Sequence, residues 1–417
     1  MGVVAETLSL VVLLAGAVVQ GASAASAAAL QEESKGQEIV TFLPGVSPEE
    51  RRRTVEKAGG TVVKELPFID GILASFPGKV APAGGFPSLK SAKGVESVEP
   101  NAYRKWIIAA PGTVEAVPLP SARAALRSAA RSAWAPRVGE SSSKASGASK
   151  LLVPWGVKRV NASQAWDRTT GAGVKVAVID TGIDCTHPYL ACAGGVNLIK
   201  PDASPADDHG HGTHVAGTIA ARPVDGKGIV GVAPAASLYA VKVLNAEGGG
   251  SIATIVEGIA WVAENGMNVA NMSLGGPGSD AMYKAVRKAV AAGVTIVAAT
   301  GNDPAASVSA PASYSEVIAV SASTSEDGLA DFATTGPEVD FIAPGKDVES
   351  TWPGGKAARL SGTSMASPHV AGLAALACSL GARSPSQVRG ALTRASSPLP
   401  GLNAKQQGAG LVDASRL

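Results

Sequence analysis

Val174 to Ile179 is a near-continuous β-branched run. A strand of that kind is covered on both sides, which is the condition of a parallel sheet rather than of a surface hairpin. The chain that follows keeps to the same rule. Strand-like runs at Leu238 to Val243, Val269 to Leu274 and Val294 to Ala299 alternate with helical patterns at His214 to Ala221, Ile252 to Glu264 and Asp280 to Ala292. Gly266 and Gly293 stop the last two helices. This alternation predicts, for residues 151–417, a three-layer α/β domain with a mostly parallel central sheet and helices on both faces. With 46% hydrophobic residues the chain has enough apolar surface for so large a core.

The first 150 residues read differently. Leu8 to Val19 is apolar and leads into Gly21-Ala22-Ser23-Ala24, a small-residue pattern fit for signal peptidase. Residues 1–24 therefore read as an export signal, although Glu6 stands where a Lys or Arg is usual. The run is shorter than the ~20 residues a membrane span needs, and no later stretch qualifies. Residues 36–105 follow the order β-α-β-β-α-β, a small α+β ferredoxin-like domain. Its strands are Glu38 to Leu43, Thr61 to Leu66, Gly71 to Phe76 and Val95 to Val98; its helices start at Ser47-Pro48 and at Pro87. Residues 106–150, rich in Ala, Ser, Pro and Arg, read as a flexible linker. The net charge is only +2 and the linker's arginines lack interleaved aromatics, so no nucleic-acid partner is indicated. In an exported chain Cys185 and Cys192, flanking a short loop, are expected to be bonded, with two unpaired thiols as the alternative. Cys378, in an apolar helical run, is expected to be buried and free.

Polar residues interrupt the apolar pattern where three buried elements begin or end. Asp180 follows the first strand; His211 lies in His209-Gly210-His211-Gly212-Thr213-His214; Ser364 opens an apolar helix. In open α/β sheets functional groups gather at the carboxyl ends of strands. An Asp that fixes an imidazole tautomer, a His that takes a proton and a Ser that attacks a carbonyl make a relay. A serine at a helix start has unpaired N–H groups beside it, which suits a developing oxyanion, and the side-chain amide of Asn302 can add a second donor. Each residue also has a plainer reading: Asp180 as a strand-end cap, Asn302 as a turn residue, Ser364 as the N-cap of a buried helix. His209, His211 and His214 have the spacing of a zinc-hydrolase cluster; the only other histidines are His187 and His369, and Cys185 and Cys192 could also bind metal, but the strand-end Asp180 and helix-start Ser364 would then go unexplained. An α/β-hydrolase elbow fails, because Ala366 replaces its last glycine and no acid-then-His pair follows Ser364.

The order Asp180, His211, Ser364 is that of subtilisin. Three stretches carry the resemblance: Val178-Ile179-Asp180-Thr181-Gly182, His211 to Thr218, and Gly362-Thr363-Ser364-Met365-Ala366-Ser367-Pro368-His369-Val370-Ala371-Gly372. On these motifs, residues 151–417 resemble a subtilisin-type serine peptidase, a subtilase. The resemblance implies a triad of Asp180, His211 and Ser364, with an oxyanion hole from Asn302 and the Ser364 N–H. Gly248, Gly249 and Gly250 on one side, and Ser273, Leu274, Gly275 and Gly276 on the other, would pair with an extended peptide. Ala298, Ala299, Thr300 and Gly301 would line the first specificity pocket. Residues 36–105 would be an inhibitory propeptide, and cleavage in 106–150 would release the enzyme. No cofactor is implied for the chemistry. The family's His-Pro-Asp calcium signature is replaced by His187-Pro188-Tyr189, leaving Asp225 or Asp303 as calcium candidates elsewhere. Two classes stay open: a secreted, monomeric endopeptidase made as a zymogen and acting on proteins, or a latent or non-catalytic binding protein on the same fold.

Overall fold

A computed structural model describes residues 28–29, 31–76, 86–107, 114–119 and 151–417. The expected signal, and the expected linker apart from residues 106–107 and 114–119, lie outside the described residues. The N-terminal domain runs β1 (Gln37–Phe42), α1 (Pro48–Lys57), β2 (Thr61–Leu66), β3 (Gly71–Ser75), α2 (Pro87–Lys90) and β4 (Val95–Pro100). Its antiparallel sheet has the order β2-β3-β1-β4. Ser47 caps α1: its Oγ accepts the Glu50 N–H at 3.3 Å, while the Glu50 carboxylate accepts the Ser47 N–H at 3.0 Å. This reciprocal pair satisfies two donors that the helix start would leave open. Two short strands follow, β5 (Tyr103–Lys105) and β6 (Glu115–Val117).

The C-terminal domain opens with β7 (Leu151–Leu152), α3 (Trp155–Arg159) and α4 (Ala162–Ala165). Then come β8 (Lys175–Asp180), β9 (Cys192–Asn197), α5 (His211–Ala220), β10 (Gly228–Ile229), β11 (Ser237–Lys242), β12 (Gly249–Ser251) and α6 (Ile252–Glu264). After these lie β13 (Val269–Met272), α7 (Asp280–Ala291), β14 (Thr295–Ala299), β15 (Ile318–Ser323) and β16 (Phe341–Pro344). The chain closes with β17 (Val348–Trp352), β18 (Lys356–Leu360), α8 (Thr363–Ser379), α9 (Pro385–Ala395), β19 (Ser396–Ser397) and β20 (Leu411–Val412). The main sheet has the order β19-β20-β16-β15-β14-β13-β8-β11-β9, parallel at every step except β19–β20.

Strand β8 shows why the run is apolar throughout. Val176 and Val178 pack on the face covered by α5 and α8, through Val215, Ile219, Val370 and Leu373. Ala177 and Ile179 pack on the opposite face, with Val256 and Ile259 of α6 and Met282 and Val286 of α7. The N-terminal sheet divides in the same way. Val40 and Phe42 sit in its own core with Phe76, Phe86 and Leu89. Ile39 and Leu73, with Leu66 and Ile69, join the cluster on α6 and α7. One face of the N-terminal sheet thus joins an apolar cluster of the C-terminal domain, while the other keeps a core of its own.

The boundaries differ from the sequence reading at the polar residues. Asp180 is the last residue of β8, and α5 starts at His211 rather than His214, while α8 starts at Thr363, one residue before the expected Ser364. Apolar periodicity marks only the buried part of a helix, and the polar first turns lie outside it. Strand β13 stops at Met272, which leaves Ser273 to Gly276 outside the sheet. Residues 106–150 are not linker throughout: Trp106 and Ile107 are 1% and 5% exposed, and Glu115–Val117 forms a strand on β18.

Candidate active site

β8 lies at the switch point of the sheet, where β11 flanks it on one side and β13 on the other. Its carboxyl end carries Asp180, fully buried, with Oδ1 accepting the Thr181 N–H at 2.7 Å. His211 is the first residue of α5, and its Nδ1 lies 2.9 and 3.0 Å from the two Asp180 oxygens. A carboxylate accepts and does not donate, so Nδ1 carries the proton and Nε2 presents a lone pair. Nε2 is buried and has no hydrogen-bond partner among the described residues. Burial opposes charge on this imidazole, but the Asp180 carboxylate and then Asp207 outweigh it and raise the His211 pKa above its usual value.

Ser364 is the second residue of α8, a helix that packs on α5. Its Oγ donates to the Ser273 carbonyl at 3.2 Å, and Ser273 Oγ donates to the Ser364 carbonyl at 2.7 Å. The hydroxyl is therefore bonded to the Ser273 segment and not to His211. Beside it, Asn302 Oδ1 accepts the Thr363 N–H and Oγ1–H, at 2.8 and 2.9 Å. A Cβ on Gly362 would lie 3.3 Å from Asn302 Nδ2 and 3.6 Å from the Ser364 nitrogen. Both nitrogens thus border one small space, kept open by the missing side chain. The end of β14 reaches this corner through Gly301, whose N–H donates to Thr363 Oγ1 at 3.1 Å.

Sequence reasoning did not single out Asp207. Its Oδ1 accepts from Thr181 Oγ1 and from the N–H groups of His209 and Gly210; its Oδ2 accepts from the N–H and Oγ1–H of Thr213. One carboxylate so ties the end of β8 to the start of α5. The available signal was an acid four residues before a helix-opening His, in the loop that leads into the helix. The zinc reading of the His cluster is corrected by the same geometry. His211 turns to Asp180, while His214 Nε2 lies 3.1 and 3.2 Å from the Val348 and Ala358 carbonyls. Among the described residues no three His, Cys, Asp or Glu side chains gather to hold a metal. Cys185 and Cys192 form a disulfide just after β8, and Cys378 is buried and free.

A sequence model of the subtilase family matches residues 171–410. The chain belongs to the subtilase family. It is a serine-type endopeptidase, and proteins are its substrates. It is similar to Subtilisin Savinase of Lederbergia lenta, 48% identical over 268 residues that span 63% of this chain and 97% of the relative. M-protease of Shouchella clausii is also 48% identical, over 63% of this chain and 69% of the relative. Alkaline elastase YaB of a Bacillus species is 47% identical over the same shares.

In this subtilase Gly248 to Ser251 and Gly275 bond the chain's own residues. β5 pairs antiparallel with β12, Lys105 opposite Gly249 and Tyr103 opposite Ser251. Trp106 and Ile107 then donate their N–H groups to the Gly248 carbonyl at 2.9 and 3.3 Å, and Gly275 donates its N–H to the Trp106 carbonyl at 3.1 Å. The Trp106 indole N–H bonds the Gly250 carbonyl at 2.9 Å. After His187-Pro188 stands Tyr189, 2% exposed, its phenol pKa raised by burial. Among the described residues neither Asp225 nor Asp303 lies in a group of three His, Cys, Asp or Glu side chains that could hold a metal.

Proposed function

We propose that this subtilase is made as a secreted zymogen and cuts internal peptide bonds through an acyl-enzyme on Ser364. The observation that carries the reading is the His211 ring, held by Asp180 at Nδ1 and unpartnered at Nε2. In the reaction, the Ser364 hydroxyl exchanges the Ser273 carbonyl for His211 Nε2, gives up its proton there and attacks the substrate carbonyl. The oxyanion takes hydrogen bonds from Asn302 Nδ2 and the Ser364 N–H. The imidazolium, stabilised by Asp180, then protonates the leaving amine, and water repeats the sequence to free the acid. No metal or cofactor enters the chemistry, and the enzyme acts as a monomer.

Residues 36–105 act in this reading as an intramolecular inhibitor, with Trp106 and Ile107 laid along the cleft as a substrate would be. Ala298, Ala299, Thr300 and Gly301 shape the pocket for the residue before the cut. The occupied cleft also favours a second reading, in which the domain stays bound and the protein is latent. Intact mass before and after a fluorophosphonate probe separates them. The active zymogen yields a shortened chain that gains one adduct on Ser364, while Ser364→Ala stays whole and unlabelled. A wild-type chain that stays whole and takes no probe would overturn the active reading.

A further inference from the structure

Two segments of the chain dock as strands on either side of Ser364. Lys105 to Ile107 lies along β12 and Gly275, two residues past the Ser273 carbonyl that holds the Ser364 hydroxyl. On the other side, β6 pairs antiparallel with β18: Val117 opposite Ala357, Ala116 opposite Ala358, Glu115 opposite Arg359. β18 ends at Leu360, four residues before Ser364. In this register, reading β6 backwards from Val117 to Glu115 moves along β18 towards the nucleophile. The two docked segments therefore pair with two stretches that each lead to Ser364, one through the Ser273 carbonyl and one through the end of β18.

The β18 side has its own recognition chemistry. Arg359 places Nη1 2.7 Å from Glu115 Oε2 and Nη2 2.9 Å from Glu349 Oε1. Glu349 lies on β17 and holds the guanidinium in place across the hairpin. Leu119 packs against the core of the large domain. Without β6, the outer edge of β18 is an open row of main-chain donors and acceptors, which accepts an added strand.

We propose that the outer edge of β18 is a docking strand for the leaving side of the substrate, holding the extended chain that follows the bond being cut, with Arg359 selecting an acidic side chain opposite it. The inference rests on Ser364 being the nucleophile. Glu115–Val117 is the occupant supplied by this chain; an extended segment with a Glu or Asp in the same register is the occupant a protein substrate supplies. Main-chain pairing gives the hold. The charge gives preference, modest because Arg359 and Glu115 are 33% and 62% exposed and so partly screened by solvent.

The test follows self-cleavage of the refolded full chain at low salt. Glu115→Lys and Arg359→Glu each slow it about two- to five-fold, and the double swap recovers most of the rate. The differences fade in about 1 M salt, where the Debye length falls to about 3 Å. Ala116→Pro, which breaks strand pairing without touching a charge, slows cleavage more. Once processed, the Glu115→Lys chain turns over a short chromogenic amide with no residues beyond its scissile bond at the wild-type rate. Equal self-cleavage rates in wild type, Glu115→Lys and Ala116→Pro, with the short amide still turned over, would overturn the docking strand alone. A wild-type chain that neither self-cleaves nor turns over the short amide would overturn the nucleophile and this proposal with it.

Discussion

His211 faces both oxygens of Asp180 with one nitrogen, at 2.9 and 3.0 Å, and leaves its other nitrogen buried without a partner. The pair sets the tautomer that a general base needs. Because Asp180 and Asp207 raise the His211 pKa over the opposition of burial, the acid limb of kcat/KM should lie above the 6.5 of an isolated imidazole. Asp180→Asn removes the charge and reverses the tautomer preference. The limb should move down in pH and kcat fall about 10⁴-fold. A profile that keeps its limb in that variant would exclude Asp180 from this role.

Asn302→Ala removes one of the two nitrogens that border the space at Gly362. A side-chain donor of this kind contributes about 10²–10³ in kcat, a magnitude established in a subtilisin. Steady-state kinetics should show the loss in kcat with KM little changed.

Gly362→Ala tests the same space by filling it. The added methyl would meet Asn302 Nδ2 at 3.3 Å and the Ser364 nitrogen at 3.6 Å, and at a φ of +154° a side chain also strains the backbone. The variant should lose most of its turnover, and a thermal melt beside the wild type separates that loss from the cost of the strain. Wild-type kcat would show that no oxyanion occupies that position.

Two buried histidines set a stability limit in acid. Burial, then the nearby His211 charge, lowers the His214 pKa to about 3, and burial lowers that of His369 to about 4. The folded state holds both rings neutral, so the unfolded chain binds protons first. Stability is full above pH 6.5 and is lost as pH falls towards 4, by about 3 kcal/mol for His369 alone. Thermal melts of the Ser364→Ala chain should show Tm falling across that window, with a shallower slope in His369→Gln.

The Cys185–Cys192 disulfide closes a short loop, with a sequence separation of 7. A chain-entropy estimate for such a loop is about 2.5 kcal/mol. Replacing both cysteines by serine should lower the denaturant midpoint by a corresponding amount, and reductant should do the same to the wild type.

Much of the fold was legible because its strands are buried on both faces and its helices close at glycines. Val174 to Ile179 and Ile252 to Glu264 announce themselves by composition and period. Asp180, His211 and Ser364 were legible as polar breaks in that pattern. What local pattern could not reveal depends on distant pairing. Glu115-Ala116-Val117 is too short to read as a strand, and its partner Arg359 lies 244 residues further along. Trp106 read as the start of a linker because the glycines that receive it, Gly248 to Gly250 and Gly276, come much later in the chain.

The carboxylate of Asp207 has a consequence for how this site can change. It clamps Thr181, next to Asp180, to the loop and first turn that carry His211. Alignment and charge therefore overlap in Asp207. A substitution at Asp180 leaves the Asp207 clamp in place, whereas one at Asp207 loosens the frame and also removes part of the field on His211. Redesign of the reaction can begin from the first position without disturbing the architecture that the second maintains.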